Sequence, residues 1–203
     1  MRKIVFALFV VFSILVIVQW ISNSLQSFFG YSRRYTAREQ LKEIDLGHFS
    51  EKIKKNHVSQ GYGATFFAAI HYIRPWHNGI DIVAPIGTPI LSPSDGVVLA
   101  RGDQDKFCYR RGYGKFIAVK DTETGTIAFY AHLSKFLVDA GKTIHKGNVI
   151  GLSGRSGFAT APHLHFSIFK EKKFTMDSKR GCGPTPEGKD INPINYLESI
   201  LSS

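Results

Sequence analysis

Four histidines and one aspartate stand in three short motifs and have the residue types of a metal centre. The motifs are His77-Asn-Gly-Ile-Asp81, Tyr130-Ala-His132-Leu133 and Pro162-His163-Leu-His165-Phe166. A zinc ion that hydrolyses a bond is held by three protein ligands, drawn from His and Asp or Glu, and keeps a fourth position open for water. The three motifs therefore predict one metal site with additional histidines beside it that transfer protons.

The first motif places its two outer residues four positions apart, a spacing that also occurs on one face of a helix. Gly79, the β-branched Ile80 and Pro85 disfavour a helix here. In a fully extended strand, residues four apart are separated by roughly 13 Å, too far to share one ion at ligand distances of about 2 Å. We therefore expect the chain to bend at Asn78-Gly79 and then to continue as a strand.

The third motif has the side-chain alternation of a β-strand, which predicts that both of its histidines lie on one face. Two residues that are two positions apart on one strand face are separated by about 7 Å. Two such histidines can therefore divide their work between a metal ion and a substrate. The alternation places His163, His165 and Ser167 on one face, and it turns Leu164, Phe166 and Ile168 toward the core.

The sequence around these residues, from about Ser59 to Tyr196, resembles the lysostaphin-like (LytM-type) zinc metallopeptidases, a family that cuts the peptide cross-links of peptidoglycan. The matching segments follow in the family's order and span roughly two thirds of the chain. They are Ser59-Gln-Gly-Tyr-Gly63, the run from His77 to Pro89, Ser94-Asp-Gly-Val-Val98, Gly112-Tyr-Gly114, Tyr130-Ala-His-Leu133, Lys146-Gly-Asn-Val-Ile-Gly151 and Pro162-His-Leu-His-Phe166.

The resemblance implies a role for each residue of the site. His77, Asp81 and His165 would bind one zinc ion, whereas His132 and His163 would be catalytic histidines that do not bind the metal. These two would deprotonate the attacking water, stabilise the oxyanion or protonate the leaving amine. The sequence leaves the division of these roles between the two histidines open.

Two features depart from the family pattern and bear on the substrate. Ser167 stands where many members carry Glu, two residues after the second strand histidine, which changes the groups that surround the metal ligands. The loops from Gly102 to Gly112 and from Lys170 to Lys189 are elaborated. Such loops form the walls of the groove and so determine which bond is cut. The sequence does not identify this bond, which is glycyl-glycine, D-alanyl-diaminopimelate or another.

The first 24 residues are expected to be a membrane anchor or a signal segment. Ile4 to Ile21 is apolar except for Ser13 and Gln19, and at about 1.5 Å per residue it is long enough to span most of a bilayer core of about 30 Å. A cleaved signal has a shorter apolar stretch of about 7 to 15 residues and an Ala-x-Ala-like site. We therefore expect an uncleaved single-pass anchor in the cell membrane with the following domain outside the cytoplasm; secretion after signal cleavage is the alternative.

The remaining chain is expected to consist of a linker, residues 25–58, and a zinc metallopeptidase domain, residues 59–203. A capping box at Thr36 and Glu39 predicts a short stalk helix in the linker.

The fold class that we expect for the domain is all-β, with mainly antiparallel sheets that form an open groove. From Gly61 onward the sequence consists of short apolar or alternating runs separated by Gly, Pro and Asp, the pattern of β-strands. Asn192 followed by Pro193 has the pattern of a helix start, so a short C-terminal helix is expected.

The two cysteines of the chain, Cys108 and Cys182, both lie in loops of this domain. In a domain outside the cytoplasm, an even number of cysteines indicates a disulfide bond. We therefore predict a disulfide that closes the long loop between them.

The formal net charge of the chain is +10, to which Arg2 and Lys3 contribute two, so the outward domain is basic. A basic surface favours polyanions. For an exported domain these are the carboxylates and phosphates of the cell wall, and we expect no nucleic acid partner. Lysines that only solvate the surface explain the charge equally well.

These observations predict a zinc endopeptidase that cleaves peptide cross-links or stem peptides of peptidoglycan and contacts the membrane through its N-terminal segment. One alternative is a catalytically inactive domain that binds the wall and activates another hydrolase, but such relatives lose metal ligands that this chain keeps. Another is a structural zinc domain, which would close the coordination sphere with Cys or a fourth His. The oligomeric state stays open.

Overall fold

The structure, a computed structural model, describes most of the chain after residue 41. The expected membrane segment, the stalk helix predicted at Thr36 and Glu39, and Cys182 lie outside the described residues. All described residues belong to one unit, Leu41–Ser203. None of the helices in this part of the chain is long and apolar enough to cross a membrane. The described residues are 42–49, 54, 57–170, 174–177 and 183–201.

β-Strands dominate the regular structure. Within the described residues, α-helices with defined bounds are α1 (Phe66–His71) and α2 (Pro193–Leu201), and 3-10 turns lie at Leu46–His48 and Gln104–Lys106. The strands are β1 (Ile44–Asp45), β2 (Val58–Gln60), β3 (Ile80–Val83), β4 (Pro89–Leu91), β5 (Gly96–Asp103), β6 (Lys115–Asp121), β7 (Thr126–Ala131), β8 (Lys135–Phe136), β9 (Thr143–Ile144), β10 (Val149–Leu152), β11 (His163–Lys170), β12 (Thr175–Asp177), β13 (Thr185–Glu187) and β14 (Asp190–Ile191).

The larger sheet carries the motifs of the site. Its strands follow the order β2-β3-β11-β7-β6-β5-β9, and β14 also pairs with β11. Every pair in this sheet is antiparallel. The register sets His165 of β11 opposite Asp81 of β3 and opposite Ala131 of β7. The expectation of mainly antiparallel sheets is confirmed.

A smaller sheet has the order β1-β4-β10-β8, and a further pair joins β12 and β13. In the smaller sheet, β1 and β4 pair in parallel, whereas β10 pairs antiparallel with both β4 and β8. Ile44 of β1 and the following Leu46 are buried in the main core. The expected linker, residues 25–58, thus includes residues that pack into the domain.

The two faces of β11 determine where the site lies. Leu164 and Phe166 turn into the main core, in a cluster that also contains Ile90 of the smaller sheet, as the alternation predicts. His165 lies on the opposite face, which carries a second apolar cluster around Phe129. Burying one such apolar side chain is worth about 1.5–3 kcal/mol, and a shift of one residue would reverse the faces. Core packing therefore fixes the side on which the histidines stand.

The sequence predicted helix α2 but not helix α1. α2 begins at Pro193, and the Asn192 side chain accepts a hydrogen bond from the N–H of Ile194 at 3.0 Å, as the helix-start pattern predicts. α1 lies in a region where only strands were expected. Its first turn is capped by Thr65, whose hydroxyl accepts from the N–H of Ala68 at 3.1 Å.

Candidate metal centre

Asp81, His165 and His77 meet because of a strand register and a bend. Asp81 and His165 lie opposite each other on β3 and β11, and His165 Nδ1 is 2.9 Å from Asp81 Oδ1. His77 precedes β3 and reaches the same place because the chain bends at Gly79, as predicted. The backbone of His77 is held by Gly63: each residue donates its N–H to the other's carbonyl at 2.8 Å.

Gly79 allows this bend to lie directly on β11. A Cβ atom at this position would stand 2.5 Å from the carbonyl oxygen of Phe166 and 2.7 Å from Ser167 Oγ. Both distances are too short for any side chain, so the site requires glycine for the close approach of two backbones.

Three side-chain atoms face one another with the geometry of metal ligands. His77 Nε2 is 3.0 Å from His165 Nδ1 and 3.2 Å from Asp81 Oδ1, which with the His165–Asp81 contact makes a nearly equilateral triangle. Tetrahedral ligands about 2.0 Å from one zinc ion are about 3.3 Å apart, close to these separations. Within the described part of the chain, this is the one group of His, Cys, Asp or Glu with such geometry.

The other hydrogen bonds of the two histidines direct lone pairs at the centre of the triangle. His77 Nδ1 is 2.7 Å from the carbonyl oxygen of Gly61, which can only accept, so Nδ1 carries the hydrogen. His165 Nε2 is 2.7 Å from Ser167 Oγ; with the hydroxyl accepting, His165 Nδ1 also presents a lone pair. Two lone pairs and a carboxylate at this distance repel one another unless a cation lies among them. The donor set therefore fits a metal ion.

His132 and His163 stand beside the triangle with their ring centroids 4.6 Å apart. His163 Nε2 is 3.6 Å from Asp81 Oδ1. The Nδ1–H of His163 donates to the carbonyl of Ala161 at 2.8 Å, and that of His132 donates to the carbonyl of Ser156 at 2.7 Å. Both histidines therefore keep Nε2 for the exchange of a proton with a substrate or water.

Burial sets the charge state of this cluster. Burial, followed by the charges of His163 and His165, lowers the pKa of His132 to about 3. Burial by itself would raise the pKa of Asp81, but the electrostatic influence of the adjacent His165 and His77 rings outweighs it and holds that pKa well below its usual range. At neutral pH the site thus combines the carboxylate of Asp81 with the neutral imidazole of His132.

The site opens to solvent on the side of Asp81 and His163. Their side chains are 11% and 12% exposed, whereas those of His77 and His165 are 1% and 4% exposed. A substrate therefore approaches past His163, one of the two histidines outside the triangle.

His132 has a left-handed backbone with a φ of 59°. This conformation is uncommon outside glycine and persists only where the surroundings fix it. Here the backbone N–H of His132 donates to the carbonyl of Tyr113 at 3.0 Å, and its ring is held by Ser156. This backbone conformation, directly after the end of β7, directs the imidazole of His132 toward the triangle.

Two tyrosines border the site, and sequence reasoning gave them no role. The Tyr113 hydroxyl accepts a hydrogen bond from Asn78 Nδ2 at 2.9 Å, and its ring centroid is 5.4 Å from that of His165. The Tyr72 ring is 6.2 Å from the His77 ring, and burial raises the pKa of its phenol to about 12. Tyr113 stands in a Gly-Tyr-Gly motif that signals a special backbone, but nothing in the sequence pattern points to Tyr72.

The structure brings together all five residues that the sequence predicts for the site: His77, Asp81, His132, His163 and His165. Ser167, where the family pattern has Glu, is fully buried behind His165. Metal binding by three of these residues and catalysis by the other two stay predictions.

Comparison with known sequences decides the family. The sequence profile of Peptidase family M23 matches residues 75–178, just over half of the 203 residues. The chain belongs to Peptidase family M23. The matched range contains the whole cluster from His77 to His165, so the M23 domain and the candidate metal centre coincide.

Two relatives of this M23 domain are named as endopeptidases. The peptidoglycan DD-endopeptidase ShyA of Vibrio cholerae is 38% identical over 92 residues, which are 45% of this chain and 20% of that protein. The glycyl-glycine endopeptidase ALE-1 of Staphylococcus capitis is 38% identical over 90 residues, 44% of this chain and 24% of that protein. The M23 chain thus matches less than a third of the length of either relative.

A solved structure supports the fold. The catalytic domain of the antimicrobial peptidase lysostaphin from Staphylococcus simulans superposes with a TM-score of 0.57 and 26% sequence identity. The superposition covers 73% of this M23 chain and 98% of that domain. The mainly antiparallel β fold is therefore shared.

Proposed function

We propose that this chain is a zinc-dependent endopeptidase that hydrolyses peptide cross-links or stem peptides of bacterial peptidoglycan. The observation that carries the proposal is the convergence of three ligand atoms, from His77, Asp81 and His165, beside two histidines that keep Nε2 available. The M23 family and the names of the two relatives, both endopeptidases, support it.

The donor set of two nitrogens and one carboxylate oxygen suits zinc, and His77, Asp81 and His165 would hold it. When bound, zinc would lower the pKa of water and polarise the scissile carbonyl. The carbonyl of Gly61 and the hydroxyl of Ser167 orient the two histidine ligands from behind. Such supporting hydrogen bonds fix the ring orientation that a metal requires.

The chain's own acid–base work falls to His132 and His163. Both rings are anchored through Nδ1 to backbone carbonyls, so each Nε2 has a fixed position. One of them accepts the proton of the attacking water, and the pair then stabilises the oxyanion and protonates the leaving amine. His163 stands on the exposed side of the site, where a peptide enters.

The two other functions that the sequence left open receive less support. An inactive wall-binding domain has no need for a complete set of ligands and acid–base histidines, yet the chain keeps all five residues. A structural zinc site would surround the ion with a fourth protein ligand, whereas His132 and His163 are turned to backbone carbonyls through Nδ1 and flank the triangle.

The substrate and the N-terminal segment together suggest where the protein works. Peptidoglycan lies outside the cytoplasmic membrane, and the apolar stretch from Ile4 to Ile21 is long enough to span that membrane. We propose a single-pass protein of the cell membrane with its M23 domain extracytoplasmic and its substrate the peptides of the adjacent wall.

Digestion of purified peptidoglycans tests this function. The purified chain is incubated with walls of different bridge type, with and without a chelator, and new amino termini are identified by mass spectrometry. We expect new termini at one type of peptide bond, their loss with the chelator and their return with added zinc. The absence of new termini from every wall would contradict the proposal.

A further inference from the structure

A cavity beside the metal centre contains polar groups that the proposed catalytic machinery does not use. It has a volume of about 330 Å³, and the loop residues around it include Arg110, Arg155, Phe158 and Ala159. The first three of these side chains are exposed to solvent. A ligand can therefore enter the cavity from outside.

Two guanidinium groups converge in this cavity. Arg110 Nη2 and Arg155 Nε are 3.5 and 3.3 Å from the same carbonyl oxygen, that of Ala159. Among the residues that the structure describes, no Asp or Glu forms an ion pair with either group. Each guanidinium has five N–H donors, most of which remain for a ligand. The carboxylate of Asp105 lies nearby but is bonded to backbone N–H groups, so the two guanidinium groups can still attract an anion.

The backbone positions both arginines before a ligand binds. Asp105 links the two loops, because its Oδ1 accepts from the N–H of Arg110 at 2.7 Å and its Oδ2 from the N–H of Gly157 at 2.9 Å. Arg110 has a left-handed φ of 55°, which within the described residues only His132 shares among non-glycine positions. Such strained residues concentrate at binding and catalytic sites. The backbone of the loops that carry the two arginines is therefore held in place before a ligand binds.

The loop of Arg155 also forms part of the metal centre. The carbonyl of Ser156 accepts the hydrogen bond from His132 at 2.7 Å. The Phe158 ring is 6.5 Å from the Tyr72 ring, which is 6.2 Å from the His77 ring. An extended peptide spans about 3.5 Å per residue. A peptide whose scissile bond lies at the metal centre thus reaches the cavity within about four residues.

We propose that Arg110 and Arg155 form a carboxylate-binding subsite that selects peptides with a free carboxylate within about four residues of the cleaved bond. The subsite rests on the proposed peptidase function and narrows its substrate. A planar carboxylate matches the paired N–H donors of guanidinium groups, and Phe158 packs against the aliphatic part that carries it. A bridge of glycines offers neither charge nor side chain. The subsite therefore favours acidic stem peptides over neutral bridges.

Three matched peptides test the subsite on the wild-type chain. They share one scissile bond; the first has a free side-chain carboxylate, the second a free C-terminal carboxylate, and the third has both groups amidated. We expect kcat/KM to be about tenfold to a hundredfold higher for at least one acid than for the amide, the range for a charge-assisted contact. The preferred acid identifies the source of the carboxylate. Equal rates on all three peptides would overturn the subsite.

Variants that remove the arginine charges test whether Arg110 and Arg155 bind the carboxylate. Arg110→Gln combined with Arg155→Gln is expected to lower the ratio of kcat/KM for the acid to kcat/KM for the amide to about one. Lys142→Gln, which removes an exposed charge before the edge strand β9, is the matched control and should change neither rate. Equal losses on acid and amide would mean that the arginines have only a structural role.

Calorimetric titration of the acid and amide peptides separates this inference from the proposed function. Cleavage of all three peptides at one rate, with no difference in binding, contradicts the subsite alone. Binding of the acid that depends on the two arginines, without cleavage of any peptide, supports the subsite and contradicts the peptidase.

Discussion

The side chains of the metal centre differ in the nitrogen that they direct inward. His77 presents Nε2 because the carbonyl of Gly61 holds Nδ1, whereas His165 presents Nδ1 because Ser167 holds Nε2. The sequence predicted the five site residues because their types stand in recognisable motifs. It did not predict the inward-facing nitrogen of His77, because Gly61 lies 16 residues away and is brought there only by folding.

Ser167→Ala tests whether the hydroxyl of Ser167 orients the predicted metal ligand His165. The change leaves the Nε2–H of buried His165 without its acceptor, so the ring is less firmly oriented. We expect the zinc affinity to fall about tenfold to a hundredfold, as measured by competition with a chromophoric chelator. Ser134→Ala, which removes an exposed hydroxyl bonded to backbone carbonyls, should leave the affinity unchanged. Equal affinities for wild type and Ser167→Ala would contradict this role.

At the scale of elements, the β3–β11 register and the bend before β3 create the site. The alternation along β11 and the bend at Gly79 were predictable because each depends on a few neighbouring residues. α1 was not, since six residues are too few to display a helical repeat. The pairing of β1 with β4 escaped prediction because a two-residue parallel strand leaves no local pattern.

Gly79→Ala tests the bend. The added Cβ would collide with the carbonyl oxygen of Phe166 and with Ser167 Oγ, so the segment that carries His77 must move away from β11. We expect loss of zinc and a decrease of about 1–3 kcal/mol in the free energy of unfolding, measured by elemental analysis and urea denaturation. Gly61→Ala, where a Cβ meets open space, is the matched control. A Gly79→Ala protein with full zinc content and stability would contradict the close packing.

At the scale of the whole domain, buried Asp121 ties α2 to the larger sheet. Its Oδ2 accepts from the hydroxyl of Tyr196 at 2.6 Å, and its Oδ1 accepts from the N–H groups of Glu123 and Thr124. Burial opposes ionisation, but these hydrogen bonds outweigh it and lower the pKa of Asp121. A lowered pKa in the folded state gives stability that is present above the unfolded pKa of about 3.9 and lost as pH falls through the folded pKa.

Asp121→Asn should therefore destabilise the domain by about 1–3 kcal/mol at neutral pH. The difference from wild type should shrink below about pH 4, where the wild-type carboxylate becomes protonated. Urea denaturation at a series of pH values measures both effects. Asp139→Asn, at a largely exposed surface pair, is the control and should have little effect. A difference that stays constant down to acidic pH would contradict the role of the Asp121 charge.

The predicted disulfide between Cys108 and Cys182 also belongs to the whole domain, because it would close a long loop between distant strands. In the chain-entropy model such a closure contributes roughly 4 kcal/mol. We expect both cysteines to resist alkylation in protein extracted from cells until a reductant is added, as followed by mass spectrometry. Alkylation of both without reduction would contradict the bond.

The most direct test of the account is zinc content measured beside turnover in five alanine variants. Replacing His77, Asp81 or His165 should remove both zinc and activity, because a site with three protein ligands has no spare donor. His132→Ala and His163→Ala should keep nearly stoichiometric zinc while hydrolysis falls by about 10² to 10⁴. Loss of zinc from His163→Ala but not from His165→Ala would reverse the two strand histidines, and activity in all five variants would contradict the metallopeptidase itself.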